Sequence, residues 1–214
     1  MLQSKAIEQA VNSFRTDYVF TYRDLGFPPE SSANVIRKLN RMADMGVIQR
    51  LSKGRFYKPK QTMFGNLKPS QQEVVKDLLE KEGKIVGYLT GVSIFGQLGL
   101  TTQISNAIEI GVKGKKNNTR RGIYSIRFVQ QANQISKNNI PLLQLLDSIK
   151  NIKRIPDSTP DSSYNRIREI FNEQKPYIGL YNSYYAVSSS WSLKGNITAN
   201  WYNIFIDINN WYKN

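Results

Sequence analysis

Asn34, Arg37, Lys38 and Arg41 recur at intervals of three and four residues, so a helix running through them would carry all four on one face. Guanidinium groups pair in bidentate fashion with guanine, and carboxamides with adenine, so such a face suits the major groove of duplex DNA. Ser31 and Ser32 stand just ahead of it, where hydroxyls and a helix N-terminus can hold a backbone phosphate. A second basic set, Lys53, Arg55 and Lys58, follows within twenty residues, with Lys60 beyond it. A third comprises Lys113, Lys115, Lys116, Arg120, Arg121 and Arg127, most of it in the loop 113–121. Basic sets of this kind lean toward binding phosphate polyanions rather than toward catalysis.

Other chemistries lack their reagents. The 214 residues include no Cys and no His, which removes zinc and iron–sulfur sites of the usual ligand types, thiol nucleophiles and His bases. Metal-dependent nucleases need clustered carboxylates, and here they are scattered. Asp147 is the one acid among ten basic residues in 111–154, and Glu109 stands alone just before them. Asp157 and Asp161 flank Pro160, as helix-entry residues do. Gly114-Lys115 lacks the upstream glycine spacing of a phosphate loop, and Lys116 replaces the required Ser or Thr. Thr101, Thr102 and Gln103 are donors and acceptors that could serve a site or close a turn, and the structural role is favoured. The expectation is a binder, not an enzyme, with no catalytic residue, metal or cofactor.

The charge supports that expectation. Thirty Lys and Arg against sixteen Asp and Glu leave a formal net charge of +14, in a chain whose 40% hydrophobic content is ample for a folded core. Residues 1–60 carry 11 basic and 5 acidic groups, 61–110 carry 4 and 5, 111–154 carry 10 and 1, and the remainder 5 and 5. Two basic blocks therefore flank a near-neutral middle, as two phosphate-facing surfaces or one built from both. The first residues show no basic segment followed by an apolar run, and no apolar stretch reaches the roughly 20 residues that span a bilayer. The expected place is the cytoplasm, away from membranes.

The elements that would position these groups follow from pattern. Ala6, Ile7, Ala10, Val11 and Phe14 give an amphipathic helix over 3–14. Tyr18-Val19-Phe20 is extended, and Thr21 caps a short helix that Gly26 ends. After the turn at Pro28-Pro29, Ser31 or Ser32 caps a third helix reaching about Met45, with Val35, Leu39, Met42 and Ala43 inward. Residues 47–50 and 55–58 alternate as a hairpin. Three helices followed by a basic hairpin is the layout of a winged helix-turn-helix. Beyond a linker at 61–69, Ser70 and Glu73 form a capping box for a helix carrying Val74, Val75, Leu78 and Leu79. Strands are expected at 85–88, 107–112 and 123–129, a helix from Pro141 with Leu142, Leu145, Leu146 and Ile149 on one face, and another from Ser162 to Glu173 with Ile167, Ile170 and Phe171 inward and Arg166 and Arg168 outward.

Four segments carry a resemblance. The runs Gly87-Tyr88-Leu89-Thr90-Gly91 and Gln97-Leu98-Gly99-Leu100-Thr101-Thr102-Gln103 resemble the antitoxin of the abortive-infection AbiE type IV toxin–antitoxin systems (the AbiEi type). So do the wing ending Lys53-Gly54-Arg55-Phe56-Tyr57-Lys58-Pro59 and the stretch from Leu142 to Asp147 with Ile152-Lys153-Arg154-Ile155-Pro156-Asp157. The resemblance covers about residues 1–175. It implies an N-terminal winged helix that represses the protein's own operon. It also implies a C-terminal domain needed for full repression and for neutralising a nucleotidyltransferase-like toxin without a stable complex.

The fold class expected is α+β, with a winged helix-turn-helix in 1–60 followed, after the linker, by a mixed α/β repression domain in 70–175. The partners expected are double-stranded DNA of the protein's own promoter, at inverted repeats, and functionally the toxin. From Ile178 onward only Lys194, Asp207 and Lys213 are charged, and the aromatic segment 176–214 departs from the family's helical pattern. A native extension and a shifted reading frame both account for it. The alternative reading is a winged-helix nucleic-acid-binding protein with a nuclease or adaptor role.

Overall fold

The computed structural model describes the backbone of residues 2–179 and the side chains of residues 3–170. The expectations for Phe171 and for the segment beyond 179 fall outside the described residues. The architecture is mixed α+β: a helical N-terminal region followed by sheets.

Helix α1 (Leu2–Ser13) buries Ile7 and Val11. The two-residue strand β1 (Val19–Phe20) leads to a 3-10 turn at Tyr22–Leu25. Thr21 caps that turn as its sequence requires: its hydroxyl accepts from Arg23 N, Asp24 reaches back to Thr21 N at 2.6 Å, and Gly26 closes the turn at φ +70°. Helix α2 (Ser32–Asp44) buries Val35, Leu39 and Met42, three turns of one stripe. The expected serine cap is absent. A 3-10 turn at Pro29–Ser31 runs directly into α2, so Ser31 sits in helical geometry and its hydroxyl caps nothing. Strands β2 (Gln49–Ser52) and β3 (Arg55–Tyr57) follow, and β1 joins them in a three-stranded antiparallel sheet ordered β1-β3-β2. Ile7, Val11, Phe20, Val35, Leu39, Met42, Ile48 and Phe56 form this region's core.

Residues 61–69 are not a plain linker. Strands β4 (Lys60–Thr62) and β5 (Gly65–Leu67) pair as a small ribbon. Helix α3 (Gln71–Leu79) then opens with Ser70 accepting from Glu73 N, which is half of the expected capping box. The Glu73 carboxylate is drawn away to Arg15, Lys76 and the Val19 amide instead. A minimal hairpin, β6 (Glu80–Lys81) and β7 (Lys84–Ile85), precedes β8 (Gly87–Thr90), α4 (Val92–Gln97) and β9 (Ala107–Val112).

Strands β10 (Thr119–Arg121) and β11 (Tyr124–Gln130) complete a second sheet in the order β10-β11-β9-β8, with β9 and β11 parallel. The period of two sends Ile108, Ile110, Val112 and Ile126 to one face, where α3 adds Val74 and Val75. Helix α5 (Ile140–Lys150) covers the other face, with α6 (Pro160–Gly179) beyond it. Helix α5 buries Leu143, Leu145, Leu146, Asp147 and Ser148, a wider arc than the single face through Leu142 and Ile149. It is enclosed between the sheet and the cluster of Phe95, Leu100, Ile152, Ile155, Ile167 and Ile170.

The two regions share a core. Val19, Leu51 and Tyr57 from the first sheet pack in one cluster with Val74, Val75, Tyr124 and Ile126 from the second region. Among the described residues, no helix is long and apolar enough to cross a membrane.

Candidate nucleic-acid interface

Because α2 turns Val35, Leu39 and Met42 inward, its opposite face carries Asn34, Arg37 and Arg41 into solvent. All three are exposed, and their side chains make no hydrogen bond or ion pair within the described residues. Lys38 behaves differently. It lies toward α1, its side chain only 18% exposed, in an ion pair with Glu8. Ser31 and Ser32 are half-buried at the entrance of the helix.

Next to this face the structure adds a residue absent from the sequence expectation. Arg50, on β2, is exposed, donates to Asn40 Oδ1 at 3.0 Å and lies 5.8 Å from the Phe56 ring centroid. A lone Arg in a β-strand has no local signature. Only folding brings Asn40, ten residues away, beside it.

The basic groups in and after the β2–β3 hairpin divide. Lys53, at the β2–β3 turn, is exposed and without a partner among the described residues. Arg55 is drawn to Asp77 Oδ2 at 2.9 Å, and Lys58 donates to the Asn12 carbonyl at 3.2 Å. The third set divides as well. Lys113 and Lys115 are exposed, Lys116 lies over the Phe128 ring at 5.5 Å, and Arg120 donates from Nε to the Gly122 carbonyl at 3.2 Å.

Arg121 is not a surface residue. It is 6% exposed, donates to Asp77 at 2.5 and 2.8 Å, and also reaches the Val74 carbonyl at 2.6 Å. Arg127 is neutralised by Glu109 at 2.6 Å, because the parallel register sets Arg127 directly opposite Glu109 on the sheet face turned from Ile108 and Ile110. Arg166, expected outward, donates to the Leu98 carbonyl at 3.2 Å.

Asp77 thus receives two arginines from opposite regions. Burial pushes its carboxyl up, but the hydrogen bonds and charges of Arg121 and Arg55 outweigh that and hold it below the usual carboxylate range. Close by, Gly122 at φ +57° lies so near the Leu51 carbonyl that a Cβ would collide with it. The turn after β10 therefore abuts β2, and the segment carrying Arg120 adjoins the strand leading to Lys53. The two basic blocks of the sequence meet across this seam.

Asp147 is occupied as well. Tyr88 Oη and the Thr90 hydroxyl donate to Asp147 Oδ2 at 2.7 and 2.8 Å, and Gln131 donates to Tyr88 Oη at 2.8 Å. Burial raises the Asp147 carboxyl above its ordinary pKa, against the opposing pull of those hydroxyls. Burial and the Asp147 charge likewise push the Tyr88 phenol up. Thr101 is buried and accepts from Gln103 N, so this segment closes a turn.

A mixed α+β chain with an exposed, unpaired Asn/Arg helix face is the class of protein that fold and site define. By sequence profile the chain belongs to a family of unknown function, DUF6088, which matches residues 6–177. No curated protein matches it.

Proposed function

We propose that this chain is a DNA-binding transcriptional autorepressor, with residues 1–60 acting as a winged helix-turn-helix and no catalytic role. The observation that carries this reading is the outer face of α2, where Asn34, Arg37 and Arg41 are exposed and make no hydrogen bond or ion pair within the described residues, while Lys38, Arg55 and Lys58 are held by Glu8, Asp77 and the Asn12 carbonyl. Unpaired guanidinium groups avoid the cost of breaking an ion pair before reaching a base edge or phosphate. Helix α2 is the element that enters the major groove, and Lys53 at the β2–β3 turn reaches the backbone beside it. Lys113, Lys115, Lys116 and Arg120 extend the phosphate-binding surface past the seam. Cytoplasmic duplex DNA upstream of the gene, at inverted repeats, is the target.

The second half of the proposal is that the protein is the antitoxin of a type IV abortive-infection system, opposing a nucleotidyltransferase-like toxin without a stable complex. This half rests on the resemblance in residues 1–175 and stands independently of the DNA-binding half.

The test is binding of the purified chain to a labelled duplex from directly upstream of its gene and to a scrambled duplex, across a salt series. Preference for the upstream duplex, with affinity falling linearly on a log–log salt plot, is the expected result. Absence of binding to either duplex at low salt overturns the assignment. Co-expression with the neighbouring gene tests the antitoxin half: rescue of growth is expected, and undiminished toxicity contradicts it.

A further inference from the structure

The β4–β5 ribbon ends in Met63 and Phe64, which are 96% and 98% exposed. Two-residue hairpin turns ordinarily take Asn, Asp or Gly, because those residues serve the turn's backbone. Here the one positive φ that the turn requires falls on Gly65, at +102°. Thr62 Oγ1 completes the turn by donating to the Gly65 carbonyl at 2.8 Å and accepting from Phe64 N. The Met63 and Phe64 side chains therefore contribute nothing to the turn and bury nothing in the fold. Two large apolar side chains held at the tip of a hydrogen-bonded ribbon, away from every core cluster of the described residues, point to an external partner.

The chemistry around the tip says which partner. Residues 56–72 contain three lysines and no carboxylate. Lys60 and Lys68 stand exposed at the base of the ribbon, which the buried Pro59 and Pro69 anchor. Gln61 and Asn66 pair directly across the ribbon on one face, both exposed. Carboxamides that read minor-groove acceptors, ammonium groups for the flanking phosphates and an apolar tip of Phe and Met are the combination used by proteins that wedge between base steps from the minor groove. An apolar pocket on a protein partner would require none of the carboxamide pairing and would gain nothing from the missing carboxylates.

We infer that the β4–β5 ribbon is a minor-groove element whose Met63–Phe64 tip inserts at a base step of duplex DNA and partly unstacks it. The inference rests on the DNA-binding reading above and adds to it a second point of engagement, separate from α2.

The experiment uses the full chain and the upstream duplex carrying 2-aminopurine at successive positions, a base whose fluorescence rises when it is unstacked. The wild-type protein raises the signal at one step. The double variant Met63→Ala/Phe64→Ala, with both sites in solvent, keeps the wild-type melting temperature, loses the fluorescence rise and binds about tenfold or more weakly. Its salt slope is unchanged, because every phosphate-binding lysine is still present. Met63→Leu/Phe64→Leu restores both affinity and signal, since an apolar wedge is what the step requires. If the wild type binds the duplex and the alanine variant matches it in affinity and fluorescence, the wedge is wrong and the DNA-binding reading stands. If the wild type binds no duplex at low salt, both fall together.

Discussion

On α2, Arg37 and Arg41 extend from an exposed face and make no ion pair within the described residues; at the seam between the two sheets, Arg55 and Arg121 converge on Asp77 from separate regions. The residue type is the same and the setting is reversed. At the seam the guanidinium forks are taken up by one acid and one carbonyl, and their charge fixes the first sheet against α3. On α2 the forks are open, which is the condition for recognising something outside the protein. The proposed polyanion partner accounts for the net charge of +14, and the pairing of each cation marks where that partner would dock.

The contrast predicts separable effects. Asp77→Ala strands the nearly buried Arg121 charge and should cost about 2–4 kcal/mol of folding stability, measured by urea denaturation. A change below about 0.5 kcal/mol would mean that the seam is a surface feature only. Asp147→Ala deprives the buried Tyr88 and Thr90 hydroxyls of their acceptor and should cost about 2–3 kcal/mol.

Asp147→Asn keeps that acceptor and removes the ionisation. Because the folded pKa of Asp147 is raised, its contribution is complete below the unfolded value of about 3.9 and is lost as pH rises through the folded value. Denaturation of both proteins between pH 4 and pH 7 should show the wild type falling relative to the Asn variant. A constant difference would contradict this. Thr21→Ala, which removes the cap of the Tyr22–Leu25 turn, should cost about 1 kcal/mol. Lys113→Ala/Lys115→Ala/Lys116→Ala should leave stability within about 0.5 kcal/mol. The same triple variant should lower the log–log salt slope of DNA binding by about one unit for each phosphate that these lysines neutralise.

Local patterns carried much of the fold. The stripe of Val35, Leu39 and Met42, the Thr21–Asp24 cap with Gly26, and the alternation through Ile108 and Ile110 each depend on residues within one turn or one strand, and each reads correctly. The serine cap failed because Pro29 started a 3-10 turn that delivered Ser31 already helical. The capping box at Ser70 was half formed because Arg15, 58 residues away, competed for Glu73.

The site divided along the same line. Asn34, Arg37 and Arg41 are exposed by helix period alone, so sequence could place them on one outward face. Arg121 looked like part of a basic loop because its partner Asp77 lies 44 residues back, and Arg127 because its partner is set by the pairing of β11 with β9. Long-range pairing of charges leaves no trace in local spacing.

The most direct test of the central claim is the double variant Arg37→Ala/Arg41→Ala, measured against wild type for binding to the upstream duplex and for stability in urea. Neither side chain has a partner within the described residues, so stability should change by no more than about 0.5 kcal/mol. At about 1–3 kcal/mol for each base-edge pairing removed, affinity should fall by about two orders of magnitude or more. An unchanged affinity in a stably folded variant would contradict the account and remove α2 from the DNA.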